Sequence, residues 1–402
     1  MSDDSKIVCQ LCGAETHAIQ LHIKNDHPEM TIEEYTTRYP DAPLLSNLAK
    51  RKLEEREAAK AAAAPETTKV EMAGTAAAAA APANVAALTA KGGVMKKAFN
   101  EVFNLGRLKA ALSSKGEPIP ITVLAAGDHG SMVPTPSDNY VYDIDELKNV
   151  ILALELNIPA YVWGHKGAGK TELFEQIAAR TNRPVVRVQH TVNTEESHIV
   201  GQWTVKGGQT EFELGPLPLA MQNGWMYVAD EYDFALPSVL SVYQAVLEGK
   251  SLMIKEADAA NRLIKPHPNF RFCATGNTNG SGDETGLYQG TNLQNSANYD
   301  RFGMVIHKQY MKKTDESKIL QNQVGLTKED ADKLVEFAGL VRDAYDGAKI
   351  SDVISPRTLI YAAKIGVKRG SFRQGLTLSF TNKLSKIDRE VVDGLAQRIF
   401  GA

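Results

Sequence analysis

One eight-residue run in the middle of the chain has the residue types and the spacing that a phosphate site needs. It fits G-x-x-x-x-G-K-[ST] at every required position, and its members are Gly164, His165, Lys166, Gly167, Ala168, Gly169, Lys170 and Thr171. Glycines let backbone N–H groups turn toward phosphate oxygens at the N-terminus of a helix. We therefore expect Lys170 to reach the β- and γ-phosphates of ATP and Thr171 to bind Mg²⁺.

The surroundings of this run argue against a glycine-rich turn that matches by chance. A short apolar segment, residues 160–163, precedes it and is typical of a buried strand. Residues 171–181 follow it with Leu173, Phe174 and Ile177 on one helical face. The sequence thus predicts the strand, loop and helix that this motif requires.

Two further strand ends carry polar side chains suited to the same chemistry. Asp230 and Glu231 follow a predicted strand at 225–229, and Asn277 follows another at 270–274. We expect Asp230 to hold the metal ion, Glu231 to activate the attacking water and Asn277 to hold that water near the γ-phosphate. The alternatives are a solvated acidic loop and an ordinary Asn-Gly-type turn.

A second group of possible ligands lies near the N-terminus. Cys9, Cys12, His22 and His27 follow the pattern C-x₂-C-x₉-H-x₄-H, which supplies four ligands for a tetrahedral structural Zn²⁺. The two histidines lie five positions apart, so a helix that carries them must loosen near the second one. His17 is a rival ligand, and two free thiols near unrelated histidines are the alternative.

The composition is that of a globular protein in a reducing compartment. Hydrophobic residues make up 43% of the 402 residues, charged residues 23%, and the net charge is −3. Three cysteines do not form a disulfide framework, and the polar start has no apolar core for a secretory signal. No apolar run is long enough for a membrane span, so we expect a cytoplasmic protein.

Changes in composition predict four segments. Residues 1–56 form a small zinc-finger-like unit, and residues 57–92 form an alanine-rich linker. Alternating short apolar runs and amphipathic helices predict an α/β core with a parallel sheet at 93–311, including an N-terminal extension. Helical periodicity alone predicts a helical lid at 312–402, with a helix that begins after Thr327 and ends at Gly347.

The part of the chain from about residue 133 to the end resembles the cobaltochelatase ATPase subunits (CobS) of the MoxR-related branch of AAA+ proteins. The motifs that carry the resemblance lie at 164–180, 215–220, 230–233, 265–271, 282–288 and 355–357. The N-terminal unit resembles short zinc fingers of the Ros/MucR type. Gly276 stands where the resemblance leads us to expect alanine, a change that we predict to be harmless.

The resemblance implies roles for two arginines that spacing alone leaves open, since either could be an ordinary ion-paired residue among 45 basic ones. Arg301 would be an arginine finger that acts on a neighbouring subunit, and Arg357 would contact ATP from the lid. The resemblance also implies homo-hexameric rings and two inserted hairpins, one within 201–214 and one around 249–263. The expected partner has a von Willebrand factor A (VWA) domain with a MIDAS-type metal site.

Three functions remain open at this point. The chain could be a motor that helps to insert cobalt or another metal into a tetrapyrrole, or a MoxR-like chaperone that remodels a protein substrate recruited by the finger. The third possibility is a nucleic-acid-associated motor guided by the finger. Mixed charges and the lack of an aromatic ladder around the finger make protein docking at least as reasonable as DNA binding.

Overall fold

The computed structural model describes residues 6–16, 19–27, 30–40, 42–44, 46–47, 93–125, 130–283 and 286–401. The chain divides into two compact units, Met1–Pro82 and Ala83–Ala402. The predicted linker at 57–92 and the rival ligand His17 lie outside the described residues. Within the described ranges, no helix is both long and apolar enough to cross a bilayer.

The described part of the N-terminal unit forms a short hairpin and two helices. Their bounds are β1 Ile7–Val8, β2 Glu15–Thr16, α1 Ile19–Asp26 and α2 Ile32–Arg38. Among its described residues, four apolar ones are fully buried in a small core: Cys9, Ile19, Ile23 and Tyr35. A core of this size contributes little burial energy, so the unit needs another source of stability.

The larger unit begins with an antiparallel pair of strands and continues as an α/β layer. Its first elements are β3 Val94–Ala98, α3 Phe99–Val102, β4 Pro120–Leu124, α4 Ile144–Leu156, β5 Ala160–Trp163, α5 Lys170–Arg180, β6 Val185–Gln189 and α6 Glu196–Val200. The next are β7 Gly201–Lys206, β8 Gln209–Leu214, α7 Pro216–Asn223, β9 Met226–Asp230, α8 Pro237–Leu240, α9 Gln244–Leu247, β10 Leu252–Met253 and β11 Leu263–Ile264. The layer ends with β12 Arg271–Gly276, α10 Ser296–Tyr299 and β13 Met304–His307.

Five of these strands form one parallel sheet in the order β13-β5-β12-β9-β6. On one face, α4 and α5 bury a cluster that includes Leu147, Val150 and Phe174. The other face buries an aromatic cluster built from Tyr161, Tyr227, Tyr232, Tyr243, Phe272 and Phe302. Both faces are covered, as expected of a parallel sheet, and the predicted fold class is confirmed.

The two predicted hairpins are present beside the sheet. The first is the β7–β8 pair, which runs from Gly201 to Leu214. The second is the β10–β11 pair, joined by Leu252 opposite Ile264. The indole N–H of Trp203 in the first hairpin donates to the carbonyl oxygen of Glu256 in the second at 3.0 Å, so the hairpins contact each other.

The rest of the chain is helical: α11 Lys313–Val324, α12 Lys328–Asp346, α13 Pro356–Arg369, α14 Phe372–Ser379 and α15 Lys386–Phe400. Thr327 caps α12 by accepting a hydrogen bond from the backbone N–H of Asp330, and Gly347 follows its last residue, as predicted. Ser355 caps α13 in the same way. These helices share an apolar core of their own around Leu334, Phe337 and Leu359.

Candidate nucleotide site and metal centre

The glycine-rich loop joins β5 to α5, and its backbone geometry leaves no room for a side chain at some of its glycines and requires a positive φ at others. Gly167 has φ of 73°, and a Cβ there would lie 2.6 Å from the Cβ of Ser355. A Cβ on Gly164 would lie 2.1 Å from the carbonyl oxygen of Lys308. Gly169 adopts the left-handed conformation at the start of α5. The loop therefore presents bare backbone at the helix N-terminus, as a phosphate cradle requires.

Lys170 lies inside this loop and connects it to the next strand end. Its Nζ donates to the carbonyl oxygens of Gly164 at 2.7 Å and His165 at 3.2 Å, and to Oδ1 of Asn277 at 2.9 Å. Burial lowers the pKa of Lys170 to about 8, although Asp233 and other nearby carboxylates oppose that shift. The structure thus brings Lys170 and Asn277 together.

Asp230 ends β9, and both of its carboxylate oxygens are occupied. Oδ1 accepts hydrogen bonds from the hydroxyls of Thr171 at 2.6 Å and Thr275 at 2.5 Å. Oδ2 accepts from Nε and Nη2 of Arg187 at 2.9 and 2.5 Å. Burial would raise the pKa of Asp230, but these hydroxyls and the Arg187 guanidinium hold it below its usual range. Asp230 and Thr171 could therefore hold one cation between them.

Glu231 leaves the strand in an uncommon backbone conformation. Its φ is 52°, in the left-handed region, and its backbone N–H donates to the Thr275 hydroxyl at 3.1 Å. Its Oε2 accepts a hydrogen bond from Nε2 of Gln189 at 2.8 Å. The Glu231 carboxylate thus bonds Gln189 whereas that of Asp230 bonds Arg187 and Thr171, so the two carboxylates can serve different tasks.

The backbone around Asn277 is held by Asp233, a fully buried carboxylate. Its Oδ2 accepts from the backbone N–H groups of Asn277 and Thr278, both at 2.8 Å, and from the Thr278 hydroxyl at 2.9 Å. Burial raises the pKa of Asp233 despite these hydrogen bonds. The result is a fixed position for the Asn277 side chain beside Lys170.

Gly276, directly before Asn277, is required here rather than merely tolerated. A Cβ at this position would lie 1.8 Å from the hydroxyl oxygen of Tyr161. That hydroxyl is itself buried and donates to the carbonyl oxygen of Thr278 at 2.9 Å. The alanine that the family resemblance suggests therefore does not fit beside this tyrosine.

The two predicted arginines occupy different places. Arg357, in the first turn of α13, lines a cavity of about 560 Å³ together with Gly167 and Gly169. Arg301 is not among the described residues that line it. Its Nε donates instead to Oε1 of Glu248 at 2.7 Å. One chain thus brings Arg357, but not Arg301, to the phosphate loop.

Arg187 and Gln189 are site residues that the sequence reasoning missed. They lie two positions apart on β6, so both side chains point to the same face of the sheet. The strand register places Gln189 opposite Asp230. Two polar residues at this spacing, near the carboxyl end of a strand that is otherwise valine, were the available signal.

In the N-terminal unit the four predicted metal ligands converge. The ligand atoms of Cys9, Cys12, His22 and His27 all lie within 4.8 Å of one another. Sγ of Cys12 and Nε2 of His22 are 3.1 Å apart, and Nδ1 of His22 is 2.7 Å from Oδ2 of Asp26. Zn–S bonds of about 2.3 Å and Zn–N bonds of about 2.0 Å suit such a cluster. A carboxylate behind a ligating histidine is a common orienting contact.

Family models match most of the larger unit. Residues 160–302 match the AAA domain (dynein-related subfamily), and residues 316–400 match the CbbQ/NirQ/NorQ C-terminal family. The aerobic cobaltochelatase subunit CobS of Sinorhizobium sp is 36% identical over 280 residues, which cover 67% of this chain and 83% of CobS. The chain belongs to the CobS family of MoxR-related AAA+ ATPases.

Other relatives of this CobS-family chain are more distant. The protein NorQ of Paracoccus denitrificans is 25% identical over 65% of this chain and 94% of NorQ. The von Willebrand factor A domain-containing protein 8 of Mus musculus is 31% identical over 34% of this chain but only 8% of that protein. A solved structure of a Thermotoga maritima RuvB mutant covers 67% of this chain and 75% of that one, with a TM-score of 0.40 and 16% identity.

Proposed function

We propose that this CobS-family chain hydrolyses ATP and uses the energy to remodel a partner protein. The observation that carries the proposal is the Thr171–Asp230 contact of 2.6 Å at the mouth of the phosphate loop. It joins the hydroxyl and the carboxylate that a nucleotide-bound Mg²⁺ needs. When bound, Mg²⁺ would neutralise charge on the β- and γ-phosphate oxygens.

The chain's own residues divide the remaining work. Lys170 would bind the β- and γ-phosphates, and Glu231 would take the proton of the attacking water. Asn277 would orient that water from beside Lys170. Arg357 would contact the phosphates from the helical lid. Arg301 would complete the site of a neighbouring subunit, where its guanidinium neutralises charge that develops on the γ-phosphate.

The cavity beside the loop supports ATP as the substrate. Its volume of about 560 Å³ falls within the range of small-ligand pockets. Tyr140 and Val141 line one part of it and Ile360 of α13 another, so apolar and aromatic groups lie beside the charged ones in its lining. A nucleoside would lie between the sheet unit and the helical lid.

The partner proposed for this motor is a protein with a VWA domain and a MIDAS-type site. Support comes from the relative whose name includes such a domain. Metal insertion into a tetrapyrrole, with cobalt as the cargo, is the first proposed task, because the CobS relative is named as a cobaltochelatase subunit. The motor would act as a homo-hexameric ring on a protein substrate.

The N-terminal unit is proposed to hold a structural Zn²⁺ and to recruit the target. The convergence of Cys9, Cys12, His22 and His27 supports the zinc site. Recruitment of a protein and binding of DNA are both compatible with a small finger. The alternative function is accordingly a nucleic-acid-associated AAA+ motor guided by this unit.

Two substitutions separate binding from hydrolysis. Lys170→Ala should abolish ATP binding, because the charge that holds the phosphates is lost. Glu231→Gln should bind ATP but reduce kcat by about 100-fold or more, since a general base of this kind contributes that much. Glu329→Gln, which removes an exposed carboxylate on α12, should keep normal turnover. Near-normal hydrolysis by Glu231→Gln would contradict the proposed role.

A further inference from the structure

The phosphate loop has a second face that points away from the nucleotide cavity. Gly167, Ala168 and Gly169 line the cavity. His165 and Lys166, which precede them, contact tyrosines and an aspartate from other parts of the chain. The loop is therefore held from outside the site.

Tyr288 is the first of these outside contacts. Its hydroxyl oxygen accepts a hydrogen bond from the backbone N–H of Lys166 at 3.0 Å and lies 3.0 Å from Nδ1 of His165. Because the oxygen accepts from Lys166, its own hydrogen is available to Nδ1, which suits a neutral imidazole protonated at Nε2. Burial lowers the pKa of His165 and favours that neutral form. The backbone N–H of Tyr288 donates in turn to Asp283 at 2.8 Å, which fixes the tyrosine.

Tyr310, between β13 and α11, holds the other side of the loop. Its hydroxyl donates to the carbonyl oxygen of Lys166 at 3.2 Å, and its ring stacks on His165 with centroids 5.6 Å apart. The guanidinium of Arg342 on α12 lies 4.2 Å from the centre of the Tyr310 ring. Arg342 also forms two hydrogen bonds with the buried carboxylate of Glu316, at 2.8 and 2.7 Å. Tyr310 is thus fixed by the helical lid.

The lid also contacts the loop directly. Tyr345 of α12 meets the His165 ring edge-on, with centroids 6.1 Å apart and planes at 90°. Nζ of Lys166 forms an ion pair with Asp352, in the segment between α12 and α13. Both backbone polar groups of Lys166 and its side chain are therefore bound by residues outside the loop.

We propose that His165, Lys166 and Tyr288 are positioning residues that couple nucleotide binding to the position of the helical lid. The proposal rests on the proposed function, since the loop must bind a nucleotide for the coupling to operate. The three N–H donors of Lys170 are taken up by the carbonyl oxygens of Gly164 and His165 and by Oδ1 of Asn277, so at least one of these bonds must break when the ammonium donates to a phosphate. Any shift of the loop that follows reaches α12 through Tyr310, Tyr345 and Asp352.

The coupling can be measured by hydrogen exchange of the α12 amides in the full chain, with and without the Mg²⁺ complex of a non-hydrolysable ATP analogue. The test variant is the pair Tyr288→Phe and Asp352→Asn, which removes one hydroxyl and one charge but keeps the side-chain shapes. In the unaltered chain the analogue should slow exchange in α12. In the variant this slowing should fall by about fivefold or more, the usual lower bound for coupling between sites.

Glu329→Gln is the matched control, because it breaks an exposed ion pair on α12 that does not involve the loop. It should leave the slowing intact. Asp352→Asn alone affects a side chain that is 30% exposed, so it can be tested even if the double variant unfolds early. If these contacts only stabilise the fold, the substitutions would change the melting temperature of the variant but not the response of α12 to the analogue.

Three results would overturn the proposal, and they differ in what else they contradict. The unaltered chain could bind the analogue with no change in α12, which would leave the ATPase function intact. The double variant could show the full slowing, or Asp352→Asn could show it if the double variant does not fold. Either result would also leave the ATPase function intact. An unaltered chain that fails to bind the analogue at all would contradict the ATPase function itself. Reduced slowing in the variant, with the control unchanged, supports the coupling.

Discussion

At the scale of single residues, the Lys170 ammonium group is largely buried and has lost most of its contact with solvent. Burial lowers its pKa to about 8, whereas bound phosphates would stabilise the charged form and raise it. The free chain therefore loses this proton at lower pH than the complex does. At pH 8, Lys170 should take up roughly half a proton when the nucleotide binds. The affinity of the chain for the nucleotide should fall as the pH rises further.

Calorimetry of nucleotide binding in two buffers with different ionisation enthalpies measures that uptake. The control is Lys170→Arg, which keeps a positive charge that does not titrate in this range. Protons taken up by the nucleotide itself are common to both chains and cancel in the difference. Equal uptake by the two chains between pH 8 and 9 would show that Lys170 is already fully charged in the free site.

Gly276 provides a second residue-scale prediction. Gly276→Ala should lower stability by about 1–3 kcal/mol, the usual cost of overpacking a core, because the new Cβ meets the Tyr161 hydroxyl. It should also lower kcat, since Asn277 follows directly. In Tyr161→Phe the nearest remaining ring atom is 2.6 Å from that Cβ instead of 1.8 Å, so the second substitution should recover part of the loss.

Thermal unfolding of the single and double variants tests this pair. The double variant should be more stable than the sum of the two single effects predicts, because the substituted atoms are in direct contact. Strictly additive losses would mean that the Tyr161 hydroxyl is not the obstacle. A Gly276→Ala chain as stable as the unaltered one would mean that this region relaxes without cost.

At the scale of elements, four of the five strands of the sheet could be predicted from their own residues. Strands β5, β6, β9 and β12 contain runs of apolar residues, and such runs are visible without any knowledge of neighbours. Strand β6 lies at one edge of the sheet, but its three valines mark it as a strand. Strand β13, at the opposite edge, was missed because it is four residues long and two of them are exposed. Its carboxyl end carries His307, which stacks on Trp163 of β5.

In the candidate site, too, some residues could be predicted from the sequence and others could not. The loop and the acidic pair are local patterns, so their positions could be read from the sequence. The contact between Gln189 and Glu231 joins residues 42 positions apart, and only the register of β6 against β9 brings them together. Arg187 meets Asp230 for the same reason. Contacts of this kind depend on the fold, which local patterns do not specify.

The N-terminal unit gives the prediction at element scale. Its described part has four fully buried apolar residues, so it should fold through the binding energy of Zn²⁺. Cys9→Ser should lose one zinc per chain and the local structure of β1, β2 and α1, while basal ATP turnover stays unchanged. Cys273→Ala, which removes a buried cysteine outside the cluster, should keep the metal.

Metal analysis of the purified chains, together with hydrogen exchange over residues 6–27, measures both effects. Addition of a chelator to the unaltered chain should reproduce the exchange pattern of Cys9→Ser. Carefully purified protein without zinc would contradict the ligand assignment. Loss of ATP turnover on metal removal would contradict the independence of this unit from the motor.

At the scale of the whole molecule, one chain does not bring both predicted arginines to the nucleotide cavity. Arg357 lines the nucleotide cavity, but Arg301 is paired with Glu248 elsewhere on the same chain. Glu248 also contacts Lys250, and the two cations lower its pKa. The carboxylate thus holds the Arg301 guanidinium at the surface, where a second copy of the chain could meet it. The proposed ring would supply such a copy to every site.

Mixing of inactive subunits tests whether Arg301 acts across a boundary. Lys170→Ala and Arg301→Ala chains should each be inactive alone. When equal amounts exchange into mixed rings, about a quarter of the interfaces pair an intact phosphate site with an intact Arg301, and ATP turnover should return there. The matched control mixes Lys170→Ala with Arg357→Ala, which should stay inactive because both residues serve the same chain's site. If the first mixture stays as inactive as the second, in rings shown to exchange subunits, Arg301 acts within its own chain.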